Sequence, residues 1–356
     1  MKKVQGALLA CAAVFASAGF SGFEPAAAAD KTDKIVFAAG RPDDAWFALS
    51  HGLATKINER SEWLEAEVVA TAGIVDNTRL AEPDEEKRVS HVVITMTPGM
   101  ELWATPEYTT KKIGTAGFLA SAMVTLDPNI KTWADLKGKT VMLSRKVPQS
   151  YTYLFMDVFD QAGVGDSIKY RHGGTSAVLT ALQDGAADAG SLMVSVIWPD
   201  TFVPGPFLEQ LQTRGPVYFP EMGNVEKNIE MIAKAGQQEE FKGAPVPALA
   251  LVAPANSFGP TQTEPLTILA PPVMWAAGTQ MPDKVVYEIT RVMYEMAEKG
   301  EFGDYHVIGK GITPDYLTTS FWATEEECRK NYHPGAVKYY DERGIKLKSF
   351  LDSYKK

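Results

Sequence analysis

The chain has 356 residues, 45% of them hydrophobic and 22% charged, with a formal net charge of −9. That length suggests about two domains and is ample for a buried core, and the composition excludes a disordered polyelectrolyte. The acidic balance argues against nucleic acid, whose phosphates are held by Lys and Arg. Two cysteines, Cys11 and Cys328, exclude a disulfide-dense scaffold and a four-cysteine metal site.

Residues 1–29 read as a secretory signal peptide: basic Lys2 and Lys3, an apolar stretch from Ala7 to Phe20, and Ala27-Ala28-Ala29 before Asp30. The expected mature chain starts near Asp30. No later run reaches the ~18 apolar residues of a membrane span. Cys328 is then left single after export and reads as buried and inert.

Strand-like runs alternate with helical patterns along the rest. Residues 34–39 (KIVFAA) form a short apolar strand, and Trp46, Leu49, Leu53 and Ile57 then fall on one helix face. Residues 67–70, 92–96 (VVITM) and 118–126 read as extended. The charge run 84–88 reads as a solvated loop. A short helix from Trp133 closes on Gly138, a residue suited to the left-handed cap, and 140–143 starts a strand. Residues 177–183, Asp184-Gly185 and Asp188-Ala189 repeat that order. Residues 199–272 hold twelve of the 22 prolines and read as loops and short elements. After Pro282, Val285, Ile289, Val292, Met293 and Met296 form a core stripe. Strands alternating with helices predict an α/β architecture with largely parallel sheets.

The segment His333-Pro334-Gly335-Ala336, followed by Tyr339, Tyr340 and Gly344, closely resembles the C-terminal signature of the TAXI family. These are the extracytoplasmic solute-binding proteins of TRAP transporters. Residues 281–290, 130–139, 182–189 and 71–77 are similar to further family segments in order and spacing. The resemblance implies a two-lobed, type II-like periplasmic binding protein. It would have α/β lobes, two crossovers at a hinge and a ligand cleft between the lobes. The crossings are expected near residues 125–130 and 266–272. Lobe I is then 30–126 with 268–356, and lobe II is 127–267. The implied function is to capture a small organic anion or amino acid by domain closure and deliver it to a TRAP permease. The implied protein is periplasmic and monomeric, with no cofactor, metal or nucleic acid. A ligand-sensing partner of a membrane receptor kinase and a periplasmic enzyme on the same scaffold are the alternatives.

Ligands of open α/β sheets bind beyond the carboxyl ends of strands, where helix N-termini offer N–H groups and partial positive charge. Four loops occupy such places. The first supplies Gly40, Arg41, Asp43, Trp46 and Phe47; Asp43 or Asp44 either caps the following helix or meets a ligand amine. Here the family usually has a small, hydroxyl-rich run, from which this chain departs. The second supplies Thr71, Gly73 and Asn77, and the third Thr97. The fourth supplies Arg145, Gln149, Ser150 and Tyr151, with Arg145 suited to a carboxylate. Ser191 and Met193 follow a later strand and are expected on the cleft floor, and Trp198 is a candidate apolar wall. His333 reads as structural. The five histidines, at 51, 91, 172, 306 and 333, lack metal-ligand spacing. The chain carries no Gly-x-Ser-x-Gly elbow and no phosphate loop.

Overall fold

The computed structural model describes residues 33–42, 44–81, 84–96, 109–144, 150–221, 250–320 and 324–349. The expected signal segment, 1–29, lies outside them. The chain first lays down β1 (Asp33–Ala38), α1 (Ala45–Arg60), β2 (Leu64–Val69), α2 (Ile74–Ala81), α3 (Glu85–Ser90) and β3 (His91–Met96). The three strands are parallel, with β1 between β2 and β3. The stripe Trp46, Leu49, Leu53 and Ile57 is buried as its spacing requires, each aliphatic member contributing roughly 1.5–3 kcal/mol of transfer free energy. The expected loop at 84–88 is instead the start of α3. Asp84 accepts hydrogen bonds from the backbone N–H groups of Glu86 and Lys87 and so nucleates a turn.

β4 (Thr110–Phe118) completes the outgoing part of the first sheet. The chain then builds a second sheet from β5 (Ser121–Val124), β6 (Thr140–Ser144), β7 (Lys169–Gly173), β8 (Ala189–Ile197), β9 (Thr201–Pro204), β10 (Ala250–Ala253) and β11 (Leu266–Leu269). Helices α4 (Ser150–Gln161), α5 (Thr175–Gln183) and α6 (Pro206–Gln212) lie between its strands. β12 (Pro272–Gly278) returns to the first sheet and inserts antiparallel between β3 and β4. The strand orders are β2-β1-β3-β12-β4 and β10-β11-β5-β8-β6-β7, with β9 against β8. This is a mixed α/β fold with two sheets and flanking helices.

The extended run expected at 118–126 is two strands in different sheets. Leu119 and Ala120 carry the chain from one to the other, ahead of residues 125–130, and the return passes through Ala270 and Pro271. Leu119 N–H donates to the Pro271 carbonyl at 2.9 Å, so the two passages run side by side.

The last part packs against the first sheet as α7 (Asp283–Lys299), α8 (Pro314–Leu317), β13 (Thr319–Ser320), α9 (Glu325–Asn331), α10 (Pro334–Glu342) and β14 (Lys348–Ser349), with β13 and β14 paired parallel to each other as a small separate ribbon. The stripe predicted on α7 is buried, and so are Ala336, Tyr339 and Tyr340 of α10, which packs against α7. His333 is the N-cap of α10: its Nδ1 accepts from Gly335 N–H at 3.2 Å. Pro334 occupies the first turn, where a missing N–H costs nothing. A Cβ on Gly335 would stand 2.3 Å from the Asp283 carbonyl oxygen, so only glycine allows α10 to meet the start of α7. Cys328 is buried.

Lys112 is wholly buried nearby. Its ammonium donates to Thr115 Oγ1 (2.6 Å), the Thr319 carbonyl (2.6 Å) and Ser320 Oγ (2.9 Å), and lies 4.8 Å from the centre of the Tyr332 ring. Three donors thus meet three acceptors, although burial still pushes the group well below its usual value.

Two outcomes follow for this C-terminal packing. Gly335→Ala should lower stability by about 1–3 kcal/mol through overpacking, read as a lower denaturant midpoint. Burial also depresses the His333 imidazole below 6.5, partly offset by Asp283. The unfolded chain therefore takes up the proton first, and stability falls as pH drops from 6.5 toward the folded-state value. Protonation also turns the Nδ1 acceptor into a donor and breaks the cap. Thermal melts from pH 7.5 to 5 should show this loss, with a shallower slope in His333→Asn, which keeps a capping acceptor. An unchanged slope would refute the assignment to His333.

Candidate functional site

The order β2-β1-β3 sends the chain to one side of β1 and then to the other. A crevice lies beyond the carboxyl ends of β1 and β3. It encloses about 60 Å³. The β1–α1 loop contributes Ala39, Gly40, Arg41 and Asp44 and α1 contributes Trp46, while the β2–α2 loop contributes Ala72 and Gly73 and α2 contributes Ile74 and Asn77. Ile94 and Met96 of β3 and Leu119 at the passage between sheets form the base, while Thr175 of α5 and Met193 of β8 come from the second sheet. Apart from Arg41 and Asp44, the described lining is uncharged and largely apolar.

A chain of hydrogen bonds sets the loop positions. Gly40, at φ +93°, takes a left-handed conformation that favours glycine. Its N–H donates to Thr71 Oγ1 at 3.1 Å, and its carbonyl accepts from Thr71 N–H at 2.8 Å. Thr71 Oγ1 donates in turn to Asn77 Oδ1, and Asn77 Nδ2 donates to the Ile94 carbonyl at 2.7 Å. Thr71 and Asn77 therefore tie the β1–α1 loop, the first turn of α2 and strand β3 to one another.

Asp44 stands at the N-cap of α1 but makes no side-chain bond to the helix. Its carboxylate turns back to accept from Arg41 N–H at 3.0 Å and Arg41 Nη2 at 3.2 Å. The first turn of α1, with its partial positive charge, is thus left without that carboxylate. Trp46 is 7% exposed, and its buried indole Nε1 has no hydrogen-bond partner among the described residues. Ser191, 3% exposed, likewise has a buried, unpartnered Oγ.

Of the residues expected from sequence, Gly40, Arg41, Trp46, Gly73, Asn77 and Met193 line the crevice. Thr71 acts behind it, and Phe47 packs half-buried against the core. Ser191 lies on β8, two residues from Met193. Ser150 and Tyr151 open α4. Asp43, Thr97, Arg145 and Gln149 lie outside the described residues. Trp198 sits instead in a cluster with Phe118 and Tyr316, with ring centres 5.6–5.8 Å apart. Leu119 and Thr175 carry no local sequence signal; they reach the crevice only through the meeting of the two sheets. Among the described residues, no group of His, Cys, Asp or Glu is placed to hold a metal, and no helix is long and apolar enough to cross a membrane.

A family model described as the NMT1-like family matches residues 37–344. Among solved structures, the periplasmic aliphatic sulphonate binding protein of Escherichia coli is 17% identical at a TM-score of 0.38, covering 53% of this chain and 60% of its own. A Xanthomonas citri protein bound to ATP is 13% identical at a TM-score of 0.45, covering 87% of this chain and 98% of its own. A Listeria monocytogenes protein proposed as an L-cystine ABC transporter is 12% identical at a TM-score of 0.43, covering 80% and 98%.

The loop tie is open to test. Thr71→Val leaves Gly40 N–H and Asn77 Oδ1 without their partner and should cost about 1–3 kcal/mol. Hydrogen exchange at the Gly40 amide should accelerate with it; unchanged exchange would show that Thr71 does not hold the loop.

Proposed function

The chain belongs to the NMT1-like family, of the periplasmic binding protein type, and from that premise we propose that it captures a small organic anion or amino acid and hands it unchanged to a membrane permease. The resemblance of residues 333–344 to the TAXI signature favours a TRAP-type permease as the partner. On this reading the two sheets are the cores of two lobes. The paired passages at 118–121 and 269–272 are the hinge, and the lobes close over the solute. The protein works as a monomer, without a cofactor.

The observation that carries the reading is the crevice, with loops of the first sheet on one wall and Thr175 and Met193 of the second sheet on the other. A wall from each sheet is what a clamp requires. The solute enters with the walls apart and is desolvated as they meet.

Arg41 and Asp44 supply the charges. Their side chains are 44% and 23% exposed, and so exposed a pair is worth only about 0–1 kcal/mol. Exchanging it for a ligand's charges is therefore cheap. Arg41 and the first turn of α1 take a carboxylate, and Asp44 takes an ammonium when the solute has one.

Calorimetric titration with amino acids and with carboxylates lacking an amine tests this. Arg41→Ala should weaken every carboxylate about tenfold or more. Asp44→Asn should weaken amino acids alone. Failure of both panels to bind the wild type, or conversion of a bound solute to product, would overturn the reading.

A further inference from the structure

Behind the crevice wall formed by Met193 lie two hydroxyls with no partner. Antiparallel pairing sets Ser121 of β5 opposite Met193 of β8, and Met123 opposite Ser191. Directly opposed residues share a sheet face, and so do residues two apart on a strand. Ser121, Met123, Ser191 and Met193 therefore lie together on one face of the second sheet. Ser121 is 2% exposed and Ser191 3%, and neither Oγ has a hydrogen-bond partner among the described residues. Met193 is only partly buried and lines the crevice. A buried hydroxyl left unpaired is costly, and two of them on one face beside the same crevice-lining side chain mark a polar patch with a use.

We propose that Ser121 and Ser191 form a specificity subsite that receives an uncharged hydrogen-bond acceptor, a ketone or amide carbonyl, at the far end of the solute. This rests on the solute-binding reading above and names the chemistry of its second end. Three features set that chemistry. Trp46, on the crevice lining, also has an unpartnered buried Nε1, and an indole N–H can only donate, so an acceptor is called for. The neighbours paired to the serines are Leu269, Met193 and Met123. Two hydroxyls in such company stabilise a neutral carbonyl, whereas a carboxylate buried there would lose its hydration with no cation among these described neighbours in return. Met193 serves as the movable wall. An unbranched thioether with three rotatable bonds can swing aside and open the crevice toward the two serines.

Three probes separate the cases: 4-oxopentanoate, pentanoate and succinate, titrated calorimetrically into the wild type and into the double variant Ser121→Ala/Ser191→Ala. The wild type should bind 4-oxopentanoate about tenfold more tightly than pentanoate and more tightly than succinate. In the double variant that preference should fall to within about twofold, with pentanoate bound at least as tightly as by the wild type, since its methyl end no longer faces unpaired hydroxyls. The unliganded melting temperature should not drop, because the lost hydroxyls had no partner. A preference that survives in the double variant overturns the subsite. Tighter wild-type binding of succinate overturns its neutral character. Binding of none of the three overturns the ligand class, and the amino-acid and carboxylate titrations above show separately whether the solute-binding reading stands.

Discussion

A single backbone hydrogen bond, from Leu119 N–H to the Pro271 carbonyl, joins the two places where the chain changes sheets. It exists because β12 re-enters the first sheet beside β4, the strand by which the chain left it. Phe118 and Pro272 face each other at the last rung of that pairing. On the proposed function, two passages held side by side would restrict the sheets to moving about a short common seam. They also put Leu119 at the base of the crevice. Phe118, Trp198 and Tyr316 pack around the same region. Apolar ring contacts resist separation while tolerating small rotations, because they lack the directionality of hydrogen bonds.

The crevice divides its residues by task. Thr71 and Asn77 engage their polar groups with Gly40, Ile94 and each other, and so act on the loops. On the proposed function, a solute would meet instead the Arg41–Asp44 pair, the first turn of α1 and the apolar base. Asp44 stands where a helix cap belongs, yet Arg41 draws its carboxylate away. That local competition leaves the helix N-terminus available and keeps the charges of the pair ready for exchange.

The C-terminal signature has a structural explanation independent of ligand. His333 caps α10, Pro334 starts it, Gly335 allows contact with the backbone of Asp283, and Tyr339 and Tyr340 fill the space against α7. Lys112 ties β4 to the Thr319–Ser320 strand from beneath. A buried lysine without a carboxylate is an unusual way to fasten a segment. It succeeds because every donor finds an oxygen and an aromatic face lies close.

What the sequence by itself determined is what depends on neighbours within about one or two helical turns. The stripe of α1, the stripe of α7, the strands at 34–39 and 92–96 and the α/β class follow from the 3.6- and 2-residue periods that bury one face. The turn after β1 followed from the strand before it, whereas residues 71–77 were marked by their resemblance to a family segment and not by periodicity. The tertiary structure alone decided the rest. Nothing local places the change of sheet between Phe118 and Ser121, since both sides of it are equally apolar and extended. Nothing local sets Ser121 opposite Met193, because strand register is fixed by pairing partners some seventy residues apart along the chain. The turn of Asp44 toward Arg41 rather than into α1 was equally hidden: both geometries suit an aspartate before a helix, and the choice depends on the backbone that Gly40 and Thr71 hold in place.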